Sequence, residues 1–306
     1  MTSLIILSIL FFILMLSLLL SLSIKLSKLT LTLPPNEPMR WLEQYGQPQD
    51  KPPRKSPIVV CAGDSITHGI ISTNWVAMLE SQFPEARFIN AGVNSELAYN
   101  LYSRLDPIIK INPDAIIILI GTNDANATFG VRSTMNYFTM QKLPEFPTPW
   151  FYKEILTLIV QRLKNETDAK TALTSLPPIG EDPLHYSWIR IKEYVEIIKT
   201  VVEAEHTAYI PLYETMTDYI RRAPKKQCIP FESIGKAVKQ ALWQHHMMGK
   251  TWDEISAQFG YHLLIDGLHF NSTGGMIMAD LAKQFLVSAL GENPGTPSKQ
   301  ERRSLI

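Results

Sequence analysis

Five short runs of apolar and β-branched residues alternate with longer helical patterns across residues 58–290, and this alternation limits the possible folds more than any other feature. The run 115–120 lacks polar alternation, which is typical of a strand covered on both faces. Parallel strands need a long crossover connection, and a helix between two strands provides one. Strands that alternate with helices therefore indicate a parallel sheet. The pattern therefore predicts an α/β fold: a three-layer α/β/α sandwich around a five-stranded parallel sheet. The predicted strands are 58–62, 87–90, 115–120, 171–175 and 208–212.

The chain begins with an apolar segment. Residues 4–24 contain only apolar residues and four serines. As a helix with a rise of ~1.5 Å per residue, this segment is long enough to cross a bilayer. A cleaved signal peptide is the alternative, but the segment exceeds a usual h-region and no basic residue precedes it. We therefore predict a single-pass N-terminal membrane anchor, a transmembrane helix over residues 1–25.

Two signals disagree about the side of the membrane on which the rest of the chain lies. Lys25 and Lys28 follow the apolar segment, which favours a cytoplasmic domain. Glycosylation sequons at Asn126, Asn165 and Asn271 are typical of a lumenal or exterior domain. The sequence leaves both topologies open.

The remaining chain divides into three parts. Residues 26–56 are predicted to form a Pro-rich stalk, because six prolines and mixed charge within 33–56 favour an extended tether over a packed element. Residues 57–291 carry the α/β pattern and form the predicted globular domain. The polar tail, 292–306, is predicted to be disordered.

Two segments exceed what a minimal sandwich needs, 126–149 and 224–264. Both follow carboxyl ends of predicted strands, where open α/β sheets bind ligands. The second contains an amphipathic stretch, 233–248, and then Thr251 and Glu254 at the spacing of a capping box. We predict a helical lid over 224–264. Helices that only pack on the sheet edge are the alternative.

The charge balance and the cysteine and histidine content argue against a nucleic-acid partner and against a metal site. The chain carries 29 acidic and 29 basic residues, and its formal net charge is zero. Nucleic acid is not an expected partner, because phosphate binding needs clustered Lys and Arg. Two cysteines, Cys61 and Cys228, provide neither a disulfide framework nor a cysteine metal site. His245 and His246 are adjacent and, on a helix, would point about 100 degrees apart, so no metal site is predicted.

Three strand-end blocks carry side chains suited to acyl chemistry. Ser65 follows the first strand in Gly-Asp-Ser-Ile-Thr, at a turn where a serine hydroxyl can attack. Asp266 and His269 are three residues apart near the end of the domain, so the carboxylate can orient the imidazole. Gly121 and Asn123 follow the central strand and offer hydrogen-bond donors at the same sheet edge. Together the blocks predict a nucleophile, a base and an anion-stabilising site.

With these blocks, the sequence resembles the SGNH/GDSL hydrolase family over residues 58–290. The resemblance implies the family's flavodoxin-like sandwich for the domain 57–291. It further implies Ser65 as nucleophile, His269 as general base and Asp266 as the acid that orients it. The family's oxyanion hole would consist of the Ser65 amide, an amide from a second block and the side chain of Asn123.

The second block departs from the family pattern. In the run 90–95, Ser95 stands where the family usually has its oxyanion glycine, and serine tolerates positive φ poorly. A shift of one residue would nominate Asn94 instead. We predict Ser95 as the donor. The expected substrate-binding residues are Asp64, Gly92, Asn94 and Gly121, with Gly92 mainly structural.

The resemblance implies a serine esterase that hydrolyses carboxylic esters through an acyl-enzyme and needs no cofactor. The substrate would be a small-molecule or lipid ester, and the anchor and the apolar residues of the predicted lid favour a lipase-like or lysophospholipase-like activity on an apolar acyl group: Trp243, Met247, Met248 and Trp252. The alternatives are an acetyl-esterase or acyltransferase acting on envelope or surface carbohydrate, or a non-catalytic membrane-tethered binding module. The α/β-hydrolase fold is disfavoured, because Ser65 does not lie in Gly-x-Ser-x-Gly. The sequence does not indicate an oligomeric state.

Overall fold

The computed structural model describes residues 2–291, and its centre is a five-stranded sheet. All neighbouring strands are parallel, and their order is β2-β1-β3-β4-β5. The strands are β1 Ile58–Gly63, β2 Arg87–Gly92, β3 Ala115–Leu119, β4 Lys170–Thr174 and β5 Ala208–Ile210. The predicted α/β sandwich is confirmed. β5 is shorter than predicted because Pro211, which has no N–H to donate, follows it.

Helices cover both faces of the sheet. The helices are α1 Thr2–Leu31, α2 Pro38–Tyr45, α3 Ser65–His68, α4 Trp75–Glu80, α5 Ala98–Ser103, α6 Asp106–Ile111, α7 Thr122–Ala127, α8 Val131–Met140, α9 Pro149–Glu166, α10 Tyr186–Glu205, α11 Leu212–Arg222, α12 Ile234–Met248, α13 Trp252–Phe259 and α14 Ser272–Leu290. α9 and α10 pack together on one face, with α5 against α9. α14 packs with α4 and α11 on the other face. Every residue of β1 and β3 is buried, as a strand between two helical layers requires.

The N-terminal helix stands apart from this core. Within α1, the stretch Ile5–Leu31 is long and apolar enough to cross a membrane, and its apolar side chains are largely exposed. A signal sequence near an N-terminus also satisfies these criteria of length and apolarity. One of the three sequons is not a glycan acceptor in the folded protein: Asn271 is buried, caps α14, and donates to Ser256 and to the carbonyl of His262.

The segment predicted to be an extended stalk is instead packed onto the domain. Trp41 of α2 is buried in the hydrophobic core, and α2 contacts α6 and β2. Asn36 donates to the carbonyl oxygen of Phe88 at 2.9 Å. Buried Arg54 pairs with buried Asp114 at 2.9 Å. The prediction of a tether fails because the prolines bend the chain between anchoring side chains and do not keep it extended.

The second long segment is helical, as its pattern predicts. It contains a short 3-10 turn (Phe231–Ser233), α12 and α13, and the Thr251–Glu254 capping box is formed. α12 packs against α13 and also contacts α1. The disorder predicted for 292–306 concerns residues outside those that the structure describes.

Candidate active site

The carboxyl ends of β1 and β3 meet where the strand order reverses, the position at which open α/β sheets bind ligands. The register pairs Gly63 with Gly92 of β2 and with Leu119 of β3, so the loops after all three strands leave one edge. Ser65 follows β1 here and Asn123 follows β3. Gly63 is required because a Cβ would overlap the Leu119 carbonyl oxygen and the Thr67 side chain.

Ser65 is the first residue of α3, and Asp64 fixes the start of that helix. The Oδ1 atom of Asp64 accepts the N–H of Ile66 at 2.9 Å. Asp64 is fully buried, and burial raises the pKa of its carboxyl to about 7. The Ser65 N–H, which precedes the first intrahelical hydrogen bond, donates to no other described residue.

A tight hairpin between Leu264 and Phe270 presents the other two predicted residues. Gly267 takes a positive φ of 96° at its tip. Asp266 Oδ1 accepts the N–H of His269 at 3.0 Å, and Asp266 Oδ2 accepts from His269 Nδ1 at 2.8 Å. His269 Nε2 lies 2.9 Å from Ser65 Oγ. The structure thus brings the predicted acid, base and nucleophile into one hydrogen-bonded chain.

Burial and charge act in opposite directions on this chain. Burial alone would lower the pKa of His269, but the Asp266 carboxylate raises it by charge and by hydrogen bond, and the net result is above the ordinary value. Because Asp266 accepts the Nδ1 proton, Nε2 of neutral His269 carries a lone pair toward Ser65. The pair can therefore accept the hydroxyl proton.

Asn123 is held in a defined orientation by a tyrosine. The Tyr137 hydroxyl, on α8, donates to Asn123 Oδ1 at 2.8 Å and accepts from Asn126 Nδ2 at 3.1 Å. Asn123 Nδ2 donates to the carbonyl oxygen of Glu96 at 2.9 Å and makes a long contact of 3.4 Å with Asp64 Oδ2. One amide hydrogen is therefore firmly engaged, and the second is weakly engaged.

The second block keeps its tight turn despite the serine. Ser95 has a φ of 64°, in the left-handed region that favours glycine. Its N–H donates no hydrogen bond to any described residue. Ser95 thus adopts the left-handed backbone conformation although serine tolerates it poorly.

Two of the residues expected to bind substrate are glycines with a packing role. A Cβ at Gly92 would overlap the backbone nitrogen of His68, and one at Gly121 would overlap the ring and hydroxyl of Tyr152. Gly121 also has a φ of 127°. Protein atoms fill the space that a Cβ would take at each position, so these two residues must be glycine for the chain to pack closely here.

The other two expected binding residues are also used by the fold. Asp64 is 1% exposed, and its oxygens serve Ile66 and Asn123, as described above. Asn94 Nδ2 donates to the carbonyl oxygen of Thr30, at the end of α1, at 2.6 Å. Each of these side chains thus has a partner within the protein, and its contact with substrate stays a prediction.

Sequence reasoning missed the residues that support the hairpin. The Glu181 carboxylate accepts three consecutive backbone N–H groups, those of residues 262–264, at 2.7 to 2.8 Å. Gly180 N–H donates to the carbonyl of Gly267 at 2.8 Å. The loop 179–187 also walls a cavity of about 680 Å³ that Ser65 and His269 do not line. No sequence motif marks Glu181. Tyr137, which bonds Asn123, lies in the segment 126–149, and the length of that segment was the signal that could have found it.

Comparison with known proteins identifies the family of the chain. Residues 61–228, more than half of the chain, match the model of the GDSL-like Lipase/Acylhydrolase family. No curated protein matches the sequence significantly.

Solved structures share the fold. A lipase/acylhydrolase from Enterococcus faecalis is 21% identical, with a TM-score of 0.50, over 76% of this chain and 96% of that one. An acetylxylan esterase from Geobacillus stearothermophilus is 16% identical, with a TM-score of 0.54, over 79% and 97%. An α/β-hydrolase enzyme from the metagenome of Lake Arreo is 19% identical, with a TM-score of 0.53, over 78% and 96%. The chain belongs to the GDSL-like lipase/acylhydrolase family of ester-hydrolysing enzymes.

Proposed function

We propose that the protein is a serine esterase in which Ser65 is the nucleophile, His269 the general base and Asp266 the residue that orients it. The observation that carries this proposal is the continuous hydrogen-bonded chain from Asp266 through His269 to Ser65 Oγ, with distances of 2.8 and 2.9 Å. A base within this reach of a hydroxyl, itself oriented by a carboxylate, is the arrangement that activates a serine.

The reaction follows from these positions. His269 Nε2 takes the hydroxyl proton while Ser65 Oγ attacks the ester carbonyl carbon, and the carbonyl oxygen becomes an oxyanion. When the tetrahedral intermediate collapses, His269 gives the proton to the departing alcohol and an acyl-Ser65 ester remains. Water, deprotonated by His269, then attacks the acyl group and releases the acid. Asp266 stabilises the imidazolium at each stage.

Three donors are proposed to hold the oxyanion: the N–H groups of Ser65 and Ser95 and the Nδ2 amide of Asn123. The two backbone groups have no partner among the described residues, so they are available without rearrangement. The 3.4 Å contact between Asn123 and Asp64 is weak, and an oxyanion is a better acceptor for that hydrogen.

We expect Asn123→Ala to reduce kcat for ester hydrolysis by about a hundredfold to a thousandfold, with KM little changed, because the lost donor acts mainly in the transition state. Steady-state kinetics on p-nitrophenyl butyrate measures this. Asn126→Ala is the matched control, because Asn126 shares the Tyr137 hydroxyl with Asn123 but does not contact Asp64. Equal losses in both variants would mean that Asn123 only supports the local fold.

We further propose that α1 is an uncleaved membrane anchor and that the substrate is a lipidic acyl ester. The family contains enzymes for several ester classes, and the neighbouring structures include both a lipase/acylhydrolase and an acetylxylan esterase. Support for the lipidic class comes from the apolar helix attached to the domain.

The experiment that tests the proposed function uses the full chain in detergent. A fluorophosphonate probe should phosphonylate Ser65, identified by peptide mass spectrometry, and a p-nitrophenyl series from acetate to palmitate should be hydrolysed with a preference for longer chains. A preference for acetate would favour the acetyl-esterase alternative. If a folded chain neither reacts with the probe nor hydrolyses any ester, a binding module remains; reaction with the probe without hydrolysis would indicate acyl transfer to another acceptor.

A further inference from the structure

The end of α1 is bonded to two loops that carry the reaction centre. Asn94 Nδ2 donates to the Thr30 carbonyl oxygen at 2.6 Å, and His68 Nε2 donates to the Thr32 carbonyl oxygen at 2.8 Å. His68 ends the four-residue helix that Ser65 begins, so the two lie about 5 Å apart along its axis. Asn94 directly precedes Ser95 in sequence. The chain at the end of the apolar helix is therefore bonded to a residue that lies about one helical turn from the proposed nucleophile.

The last turns of α1 present one face to the domain. Leu22, Leu26 and Leu29 are half-buried, at spacings of four and three that place them on one helical stripe. Ile24 and Leu31, between and beyond them, are 48% and 80% exposed. The partial burial of a single stripe means that these turns are docked.

α1 contacts α12, and α12 is in turn bonded to the segment that follows α3. His246 Nε2, on α12, donates to the carbonyl oxygen of Ile70 at 3.2 Å, two residues after α3 ends. The segment that sequence analysis predicted to be a lid thus packs against the apolar helix.

The connection from α1 to the domain is short and fixed. Two residues separate Leu31, the end of α1, from buried Pro34, and Asn36 is bonded to β2. Such a connection has no flexible tether to loosen it. The domain is therefore held at a set height and orientation relative to the helix.

Helix length gives that height. If residues 4–24 cross the hydrocarbon, residues 25–31 rise about 10 Å beyond it at ~1.5 Å per residue. Each headgroup layer of a bilayer is about 5–8 Å thick. Exposed Lys25 and Lys28 then lie at headgroup level, and the Thr30 and Thr32 carbonyls lie just outside it. The Ser65 site is thereby held at the bilayer surface.

We propose that α1 is a working part of this site: its docked end holds Ser65 over the headgroup layer, so that the enzyme hydrolyses long-chain acyl esters resident in its own bilayer faster than soluble esters. The inference rests on the proposed function and adds where the substrate lies, namely in the bilayer that α1 crosses. A long acyl chain partitions into the bilayer with about 0.8 kcal/mol per methylene, whereas an acetyl group does not. The substrate and the Ser65 site then lie at the same bilayer surface, which raises the effective concentration of substrate at the site.

The test compares two double variants of the full chain in vesicles of non-hydrolysable diether phosphatidylcholine. Leu26→Ala with Leu29→Ala weakens the docked stripe, and Ile24→Ala with Leu31→Ala removes the same number of carbons from exposed positions. The probes are palmitoyl lysophosphatidylcholine in the vesicles, followed by palmitate release, and soluble p-nitrophenyl acetate.

We expect the docking pair to lose about tenfold in the rate on the palmitoyl ester, with less than a twofold change on acetate, and the exposed pair to keep both rates. An unchanged palmitoyl rate in the docking pair would overturn the proposal, as would equal losses on both substrates, which would give α1 only a structural role. Wild-type turnover of acetate but not of the palmitoyl ester would also overturn it. Absence of Ser65-dependent acetate turnover would instead contradict the proposed function itself.

Discussion

Ser65→Ala is expected to reduce kcat for p-nitrophenyl butyrate by about 10⁵-fold or more, because the acyl-enzyme cannot form without the hydroxyl. His269→Ala should reduce kcat by about the same factor, because Ser65 Oγ then lacks the base that lies 2.9 Å away in the wild type. The double variant should be no slower than either single variant, because the two residues act as one unit. Stopped-flow and steady-state kinetics on the full chain in detergent measure the two single variants and the double variant.

The control is the same substitution at an exposed serine, Ser103→Ala on α5, which should leave kcat unchanged. Thermal unfolding of each variant checks that the fold is retained. Ser65 is 6% exposed and packs at the start of a short helix, so alanine fits the site without strain. A folded Ser65→Ala enzyme that kept a tenth of wild-type turnover would contradict the nucleophile assignment.

The fold was predictable because its signals are local. The apolar run at β3 and the β-branched residues of β1 mark buried strands by composition alone, and parallel pairing follows from their spacing. The packed segment before β1 was not predictable. Its order depends on Trp41 entering the core and on Arg54 meeting Asp114, sixty residues away, and no local pattern encodes either contact.

The candidate site likewise contains residues that a local motif marks and residues that no local motif marks. That Ser65, Asp266 and His269 lie together was predictable, because a strand-end serine and a late Asp-x-x-His are recognisable motifs. Side chains that bond distant backbone were not: Asn94 bonds Thr30, and Glu181 bonds the backbone before the hairpin. A polar residue beside a motif can bond either a substrate or distant backbone, and a bond to distant backbone becomes visible only in the folded structure.

Asp266→Asn is expected to lower kcat by about 10⁴-fold while leaving the fold intact. The wild-type carboxylate accepts the Nδ1 proton of His269 at 2.8 Å. An asparagine amide can donate to Nδ1 instead, which places the proton on Nε2, so that His269 can no longer accept from Ser65. Asp280→Asn, at an exposed position of α14, is the matched control and should have wild-type kinetics.

The pH profile of the same variant separates a charge effect from a positioning effect. Only neutral His269 can act as base, so kcat/KM must fall as the pH drops through the pKa of His269. Burial lowers that pKa and the Asp266 carboxylate raises it, with a net value above the ordinary one. In Asp266→Asn the carboxylate is absent, so the lowering of the His269 pKa by burial is no longer offset by Asp266. The acid limb of residual activity should therefore move to lower pH than in the wild type, whereas an unmoved limb would mean that Asp266 does not set the charge state of His269.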